Sequence, residues 1–119
     1  VDAIVEGHLF DVSGVAMAVG FQWPVALTAA VWCDCVSWSD EDTRAQIPQD
    51  YQGRLWDVLY MAHLVMQKAA VPKDCMTFTL LRVPRDGVSC GPQLVQLKLL
   101  VGLGDAGEPV VTILMSDED

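Results

Sequence analysis

The chain has 119 residues, of which 52% are hydrophobic and 19% charged, with a formal net charge of −9. This length fits a single domain (1–119), and the apolar content argues against disorder. No apolar run is long enough to span a bilayer, and no secretory leader is recognisable at the start. All seven Lys and Arg follow residue 43, and so acidic a chain repels nucleic-acid phosphates. We therefore expect a cytoplasmic protein with no nucleic-acid or membrane partner.

The four cysteines predict neither a disulfide framework nor a metal site. Cys33 and Cys35 fall in a stretch expected to be helical, where their side chains point about 200° apart and cannot converge on one ion. Cys75 and Cys90 could meet across a sheet, but nothing indicates an oxidising compartment. We expect buried free thiols, no metal and no cofactor.

The first half of the chain is predicted to be helical. Asp11 or Ser13 is suited to cap a short first helix. Pro24 fits the first position of a second helix, whose run VALTAAVWCDCVSW (25–38) is apolar enough to be mostly buried. The acids that follow Ser39 favour the first turn of a third helix, which ends near Gln46 before a proline.

The fold is expected to be organised around a long central helix, 51–70, with Asp50 as N-cap and Pro72 as stop. Apolar residues recur at helical spacing at Leu55, Val58, Leu59, Ala62, Val65, Met66 and Ala69. The opposite strip holds Arg54, Asp57 and Lys68, but also Met61 and Leu64. A helix apolar on nearly all sides requires burial on nearly all sides. We expect its second flank to line a pocket or to meet another subunit.

After this helix the period changes to two, which is typical of strands. Alternating residues predict strands at 76–80 and 95–101, and the run 110–115, apolar on both parities, is expected to be the third strand. Their short connections favour a three-stranded antiparallel meander. The run 102–107 spells GxGxxG, but a strand follows it instead of the helix that a dinucleotide site needs. The expected fold class is α+β, with three to four N-terminal helices packed on the C-terminal meander.

Four segments, GFQWPVALTAAVWCDCV, GRLWDVLYMA, LLRVPRDG and GEPVVTILM, resemble those of a small bacterial family without assigned activity. Members of that family occur on plasmids and in integron gene cassettes. The resemblance covers most of the chain and implies a cytoplasmic accessory protein carried on a mobile element. Proteins of this kind are often homo-oligomers. The resemblance supplies no catalytic residue.

Two charged residues in apolar stretches of the sequence, Asp34 and Arg82, are candidates for a catalytic or ligand-binding role. Asp34 is the only carboxylate in its long apolar run, and burial would raise its pKa toward that of a general acid or base. The simpler alternatives are an exposed residue on the polar stripe of the helix or a structural ion pair with Arg54 or Arg82. Arg82 shares the parity of the apolar positions in the first strand and could hold an anion bidentately. Its simpler use is an ion pair with Asp34 or Asp57.

Trp56, Tyr60 and His63 share one flank of the central helix, at positions i, i+4 and i+7. They could form an aromatic wall with a titratable end, for a planar ligand or an interface. The alternative is a second packed core face in which His63 is a satisfied core histidine. With two histidines in the chain, most hydrolytic and metal motifs are excluded.

We arrive at two hypotheses. The first is a non-enzymatic, homo-oligomeric binding or adaptor protein that uses the Trp56–Tyr60–His63 flank or an exposed sheet face for contact. The second is a small-molecule-binding protein or small enzyme with a pocket between helices and sheet. That pocket would be lined by Trp32, Trp38, Trp56 and Tyr60, with Asp34, His63 or Arg82 as polar anchors.

Overall fold

The computed structural model describes residues 9–69, 74–104 and 106–118. It contains the strands β1 (Leu9–Asp11), β2 (Val25–Thr28), β3 (Cys75–Arg82), β4 (Gln93–Leu103) and β5 (Pro109–Met115). They form one five-stranded sheet in the order β1-β2-β5-β4-β3. β2 and β5 are parallel, whereas the other neighbours are antiparallel. The class is α+β, but the predicted three-stranded antiparallel meander is wrong, because the sheet is larger and mixed.

The helical elements precede β3 in the chain. They are α1 (Ser13–Val19), α2 (Ala29–Val31), the π-helical turn π1 (Trp32–Val36) that continues it, α3 (Asp40–Ala45) and α4 (Tyr51–Lys68). The core lies between the helices and one face of the sheet. Within the described ranges, no helix has the length and hydropathy needed to cross a membrane.

The predicted helix over 25–38 is wrong in its first four residues, which form the strand β2 instead. All four are buried: Val25 and Leu27 belong to the hydrophobic core, and β1 and β5 cover the two edges of the strand. A strand buried on both faces gives a continuous apolar run, and such a run has no period that separates it from a buried helix. The helix begins only after Thr28, whose hydroxyl oxygen accepts the Val31 N–H at 3.3 Å.

The predicted helix starts at Ser39 and Asp50 are confirmed. The Ser39 hydroxyl accepts the Asp42 N–H, and the Asp42 carboxylate accepts the Ser39 N–H, which together make a capping box. The Asp50 carboxylate accepts the Gly53 N–H at 2.7 Å and begins α4. The predicted stop at Pro72 lies outside the described residues.

Helix α4 packs the predicted apolar stripe against the sheet. Leu55, Val58, Leu59 and Ala62 are buried, and the partly buried Val65 and Met66 pack against the same core. The facing side chains are Phe78, Leu80, Leu97, Leu99, Val111 and Ile113. Full burial of one such large apolar side chain contributes about 1.5–3 kcal/mol. This contact therefore holds α4 across the sheet and decides which of its residues face outward.

Candidate functional site

Asp34 and Arg82 form an ion pair that links π1 to the end of β3. Arg82 Nε donates to Asp34 Oδ2 at 3.1 Å, and Arg82 Nη2 donates to Oδ1 at 3.4 Å. Arg82 Nη1 also donates to the Gln93 carbonyl on the neighbouring strand. With both carboxylate oxygens engaged, this geometry matches the structural alternative for Asp34 and leaves Arg82 occupied.

Arg54 is buried, although its helical position suggested the outer strip of the central helix. That interpretation is wrong because the guanidinium reaches inward to main-chain carbonyls. It donates to Asp34 at 3.0 Å, to Val36 at 3.1 Å and to Val83 at 3.0 Å. The first two are carbonyls at the end of π1 that have no helical partner. Arg54 thus caps the C-terminal end of π1 and links it to Val83, which follows β3. Burial lowers the pKa of Arg54.

Two of the four aromatic residues predicted to line a pocket have packing roles. Trp38 is buried, with its ring 4.5 Å from the Arg54 guanidinium carbon and its indole N–H donating to Thr43 at 3.1 Å. Trp32 stacks on Phe10 at a ring-centroid distance of 4.7 Å.

The structure does not bring Trp32 and Trp38 together with Trp56 and Tyr60. In α4, Trp56 and Tyr60 lie outside the buried stripe and are exposed. The cavities of about 480, 240 and 250 Å³ in the described residues are not lined by Trp32, Trp38 or Trp56, and Tyr60 lines only the third of them.

A small cavity of about 240 Å³ lies beside the ion pair, and Asp57, Arg54, Arg82 and Cys35 are among its lining residues. Desolvation raises the pKa of Asp57, and the charge of Arg54 opposes this shift. Burial, reinforced by the charge of Asp34, raises the pKa of the Cys35 thiol to about 12. Such a thiol stays protonated near neutral pH and is a poor nucleophile. The cavity therefore holds charged groups but no activated nucleophile.

All four cysteines are free. Only Cys35 is buried, whereas Cys33, Cys75 and Cys90 are exposed. The expectation of buried thiols is wrong for these three, since Cys75 lies in the outermost strand β3 and Cys90 lies in the segment between β3 and β4. Among the residues that the structure describes, no group of His, Cys, Asp and Glu is arranged to hold a metal ion.

The Trp56–Tyr60–His63 flank divides between two environments. Trp56 is 43% exposed and Tyr60 is 48% exposed. His63 is half-buried, with its ring centroid 5.2 Å from that of Phe21. The flank is thus neither a continuous second core face nor one continuous wall. Its first two residues are available for contact, and His63 belongs to a separate groove.

That groove, which we call the Trp23 groove, lies between the α1–β2 connection and the C-terminal half of α4. Its volume is about 480 Å³. It is lined by Gly20, Phe21, Gln22, Trp23, His63, Met66 and Gln67. Sequence reasoning missed it because residues 20–23 showed only a helix end followed by a proline. The available signal was a tryptophan between a glutamine and that proline, in a connection too short to bury it.

A second surface lies where α4 meets the strands β3 and β4. Leu81 on β3 and Leu94 on β4 are directly opposite in register and are 59% and 70% exposed. With Tyr60 and Met61 of α4 they line a groove of about 250 Å³. We call Tyr60, Leu81, Leu94 and the outer side of β3 the edge patch. Sequence reasoning missed Leu81 and Leu94 because both lie at the polar positions of their strands.

Searches among curated proteins and among solved structures find no match. A family described as "Family of unknown function (DUF6573)" matches residues 1–119. An uncharacterised family is also what the resemblance in the sequence implied. Because the match extends over the full length, the chain belongs to this family of unknown function.

Proposed function

We propose that this protein is a non-enzymatic, homo-oligomeric binding protein whose copies associate through the edge patch. The observation that carries the proposal is the exposed leucine pair, Leu81 and Leu94, beside an unpaired sheet edge. In the described part of the chain, β3 pairs only with β4 and runs for eight residues in unbroken register. Native sheets protect such edges with lysine, proline, bulges or short strands. β3 has none of these.

The charges at the two ends of β3 favour a second copy as the occupant. Asp74 precedes the strand and Arg82 ends it. Antiparallel pairing of two β3 strands about a twofold axis near Phe78 and Thr79 brings each Asp74 close to the Arg82 of the other copy. Arg82 stays paired with Asp34 in each copy, so each Asp74 approaches a cation that is already partly neutralised. The approach therefore offsets only part of the repulsion between two molecules of net charge −9. Parallel pairing would align like charges and is disfavoured.

The outer face of α4 would remain available in such a dimer for the contact role of an adaptor. Trp56 is exposed there, one helical turn before Tyr60. Tryptophan is enriched among residues that dominate protein–protein binding. The proposal assigns Trp56 to contact with a further molecule and Tyr60 to contact between the two copies.

We further propose that the protein is cytoplasmic and is an accessory protein carried on a mobile element, as the resemblance implies. Four free cysteines, three of them exposed, are suited to a reducing compartment, because exposed thiols oxidise or cross-link elsewhere.

Light scattering coupled to size-exclusion chromatography tests the proposal. The expected mass is twice the 13.0 kDa of one chain, at micromolar protein concentration and in the presence of reductant, so that disulfide cross-links cannot account for it. A mass of one chain at every concentration would refute the proposed association.

A further inference from the structure

We infer that the Trp23 groove binds an uncharged, planar heteroaromatic ring that carries hydrogen-bond donors and acceptors on its edge, as a nucleobase does. The groove volume of about 480 Å³ lies within the range of about 300–1,000 Å³ found for small-molecule sites. It is formed by one short connection and one helix, so its lining residues are held by regular structure on one side.

The walls suit a flat ring. Trp23 is 37% exposed and lines the groove with its indole, and Met66 contributes a polarisable thioether from α4. Phe21 is buried and supports the inner wall. Stacking between an indole and a heteroaromatic ring requires a free π-face of this kind, and it tolerates many ring types.

The polar groups suit the edge of such a ring. Gln22 and Gln67 line the groove and are both exposed. Each carboxamide offers a donor and an acceptor side by side, the pattern with which glutamine pairs to the edge of adenine. His63 adds an imidazole that can donate or accept.

The inner wall is already fixed without a ligand. The N–H groups of Gly20 and Phe21 both donate to the Ala16 carbonyl, at 3.0 and 2.9 Å. Gly20 has a φ of +135°, and a Cβ there would lie 2.9 Å from the His63 ring. The imidazole therefore lies directly against the Gly20 backbone and beside Phe21. Such a wall costs little conformational entropy when a ligand binds.

The charge distribution of the protein disfavours the binding of phosphorylated ligands in the groove. The residues that line the groove include no Lys, Arg, Asp or Glu, and the whole chain carries a net charge of −9. A phosphate would meet no cation in the groove and a repulsive field outside it. The preferred ligand therefore has a neutral ring without a phosphate group.

Isothermal titration with adenine tests this inference, with Trp23→Ala and Gln67→Ala as groove variants and Trp56→Ala as the matched control. Trp56 is similarly exposed but lies outside the groove. We expect saturable binding that Trp23→Ala or Gln67→Ala weakens by about tenfold, since one stacked ring or one bidentate amide contributes on that order. Trp56→Ala should bind as the unaltered protein does. Thermal unfolding of each variant checks that its fold is retained.

Three further probes sharpen the test. AMP should bind no more tightly than adenine, and p-xylene, which has no polar edge, should bind more weakly. In NMR spectra, adenine should shift the imidazole signals of His63. The inference is overturned if adenine does not bind saturably, if the groove variants bind it unchanged, or if AMP or p-xylene binds more tightly than adenine. Because the groove and the edge patch share no residue, a monomeric protein should still bind adenine, so the two proposals fail separately.

Discussion

Replacing Leu81 with lysine should convert the proposed dimer into a monomer. Leu81 is 59% exposed in the single chain, so association can bury a little more than half of a side chain whose full burial contributes about 1.5–3 kcal/mol. That is about 1–2 kcal/mol in each copy, and twofold symmetry doubles it to about 2–4 kcal/mol. Since each 1.4 kcal/mol is a factor of ten, the dissociation constant should rise roughly 30- to 1,000-fold.

Sedimentation velocity over a dilution series measures this dissociation constant directly. Leu103→Lys is the matched control, because Leu103 is a similarly exposed strand leucine, at 69%, outside the edge patch. The control should dimerise as the unaltered protein does. If Leu81→Lys and Leu103→Lys shift the dissociation constant equally, or neither shifts it, the edge patch is not the interface.

Three predictions concern stability, each measured by urea or thermal unfolding. Arg54→Leu leaves buried carbonyls without donors and should lower the free energy of unfolding by about 3–5 kcal/mol. Arg85→Leu breaks only a surface ion pair and should lower it by about 0–1 kcal/mol. Equal losses of stability in the two variants would contradict the role given to Arg54. Gly20→Ala should destabilise the protein by about 1–3 kcal/mol because Gly20 has a positive φ and lies against the His63 imidazole. Gly14→Ala, with open space around it in α1, should stabilise the protein by up to about 1 kcal/mol. A Gly20→Ala protein as stable as the unaltered one would contradict the fixed conformation assigned to this connection. Hydrogen bonds from Ser89 and from the Val88 backbone lower the pKa of Asp86 from 3.8 to about 2. The contribution of Asp86 to stability is therefore fully present above pH 3.8 and is lost as the pH falls through about 2. The difference in stability between the unaltered protein and Asp86→Asn should vanish across that interval, and a difference that persists below it would contradict this assignment.

Local signals in the sequence were sufficient for several elements. The cap at Asp50 and the apolar stripe from Leu55 to Ala62 placed α4, because an N-cap and a period of 3.6 act within a few residues of each other. The capping box at Ser39 is equally local. The alternation after residue 74 located β3 and β4, since each exposes one face more than the other. β5 has no exposed residue and was located by its apolar run after the glycine-rich turn.

The features that were predicted wrongly depend on contacts with residues that are distant along the chain. β2 was mistaken for a helix because all four of its residues are buried and form a continuous apolar run, while the strands β1 and β5 that pair with it come from separate parts of the sequence. Arg54 was placed on the outer strip because nothing nearby shows that carbonyls of π1 and of Val83 converge on its guanidinium. The apolar stripe indicated which side of α4 packs on the sheet, but helical spacing did not show whether Trp56 and Tyr60, on another flank, would be exposed.

The candidate site was predictable only in part. Arg82 was expected to pair with Asp34 or Asp57, and the structure pairs it with Asp34 across 48 positions of sequence. The exposed leucine pair, Leu81 and Leu94, becomes evident only once the register of β3 and β4 is known. Its meaning as a surface depends further on β3 being the outermost strand, which the order of strands along the chain does not determine.

The association through β3 is tested most directly by amide hydrogen–deuterium exchange at two protein concentrations, one that favours the dimer and one that favours the monomer. Outward-facing amides of Cys75–Arg82 should exchange more slowly in the concentrated sample, because pairing with a second copy supplies their missing acceptors. The central strand Val25–Thr28, already paired on both sides, should exchange equally in both. Exchange in β3 that is the same at both concentrations would contradict the proposed dimer.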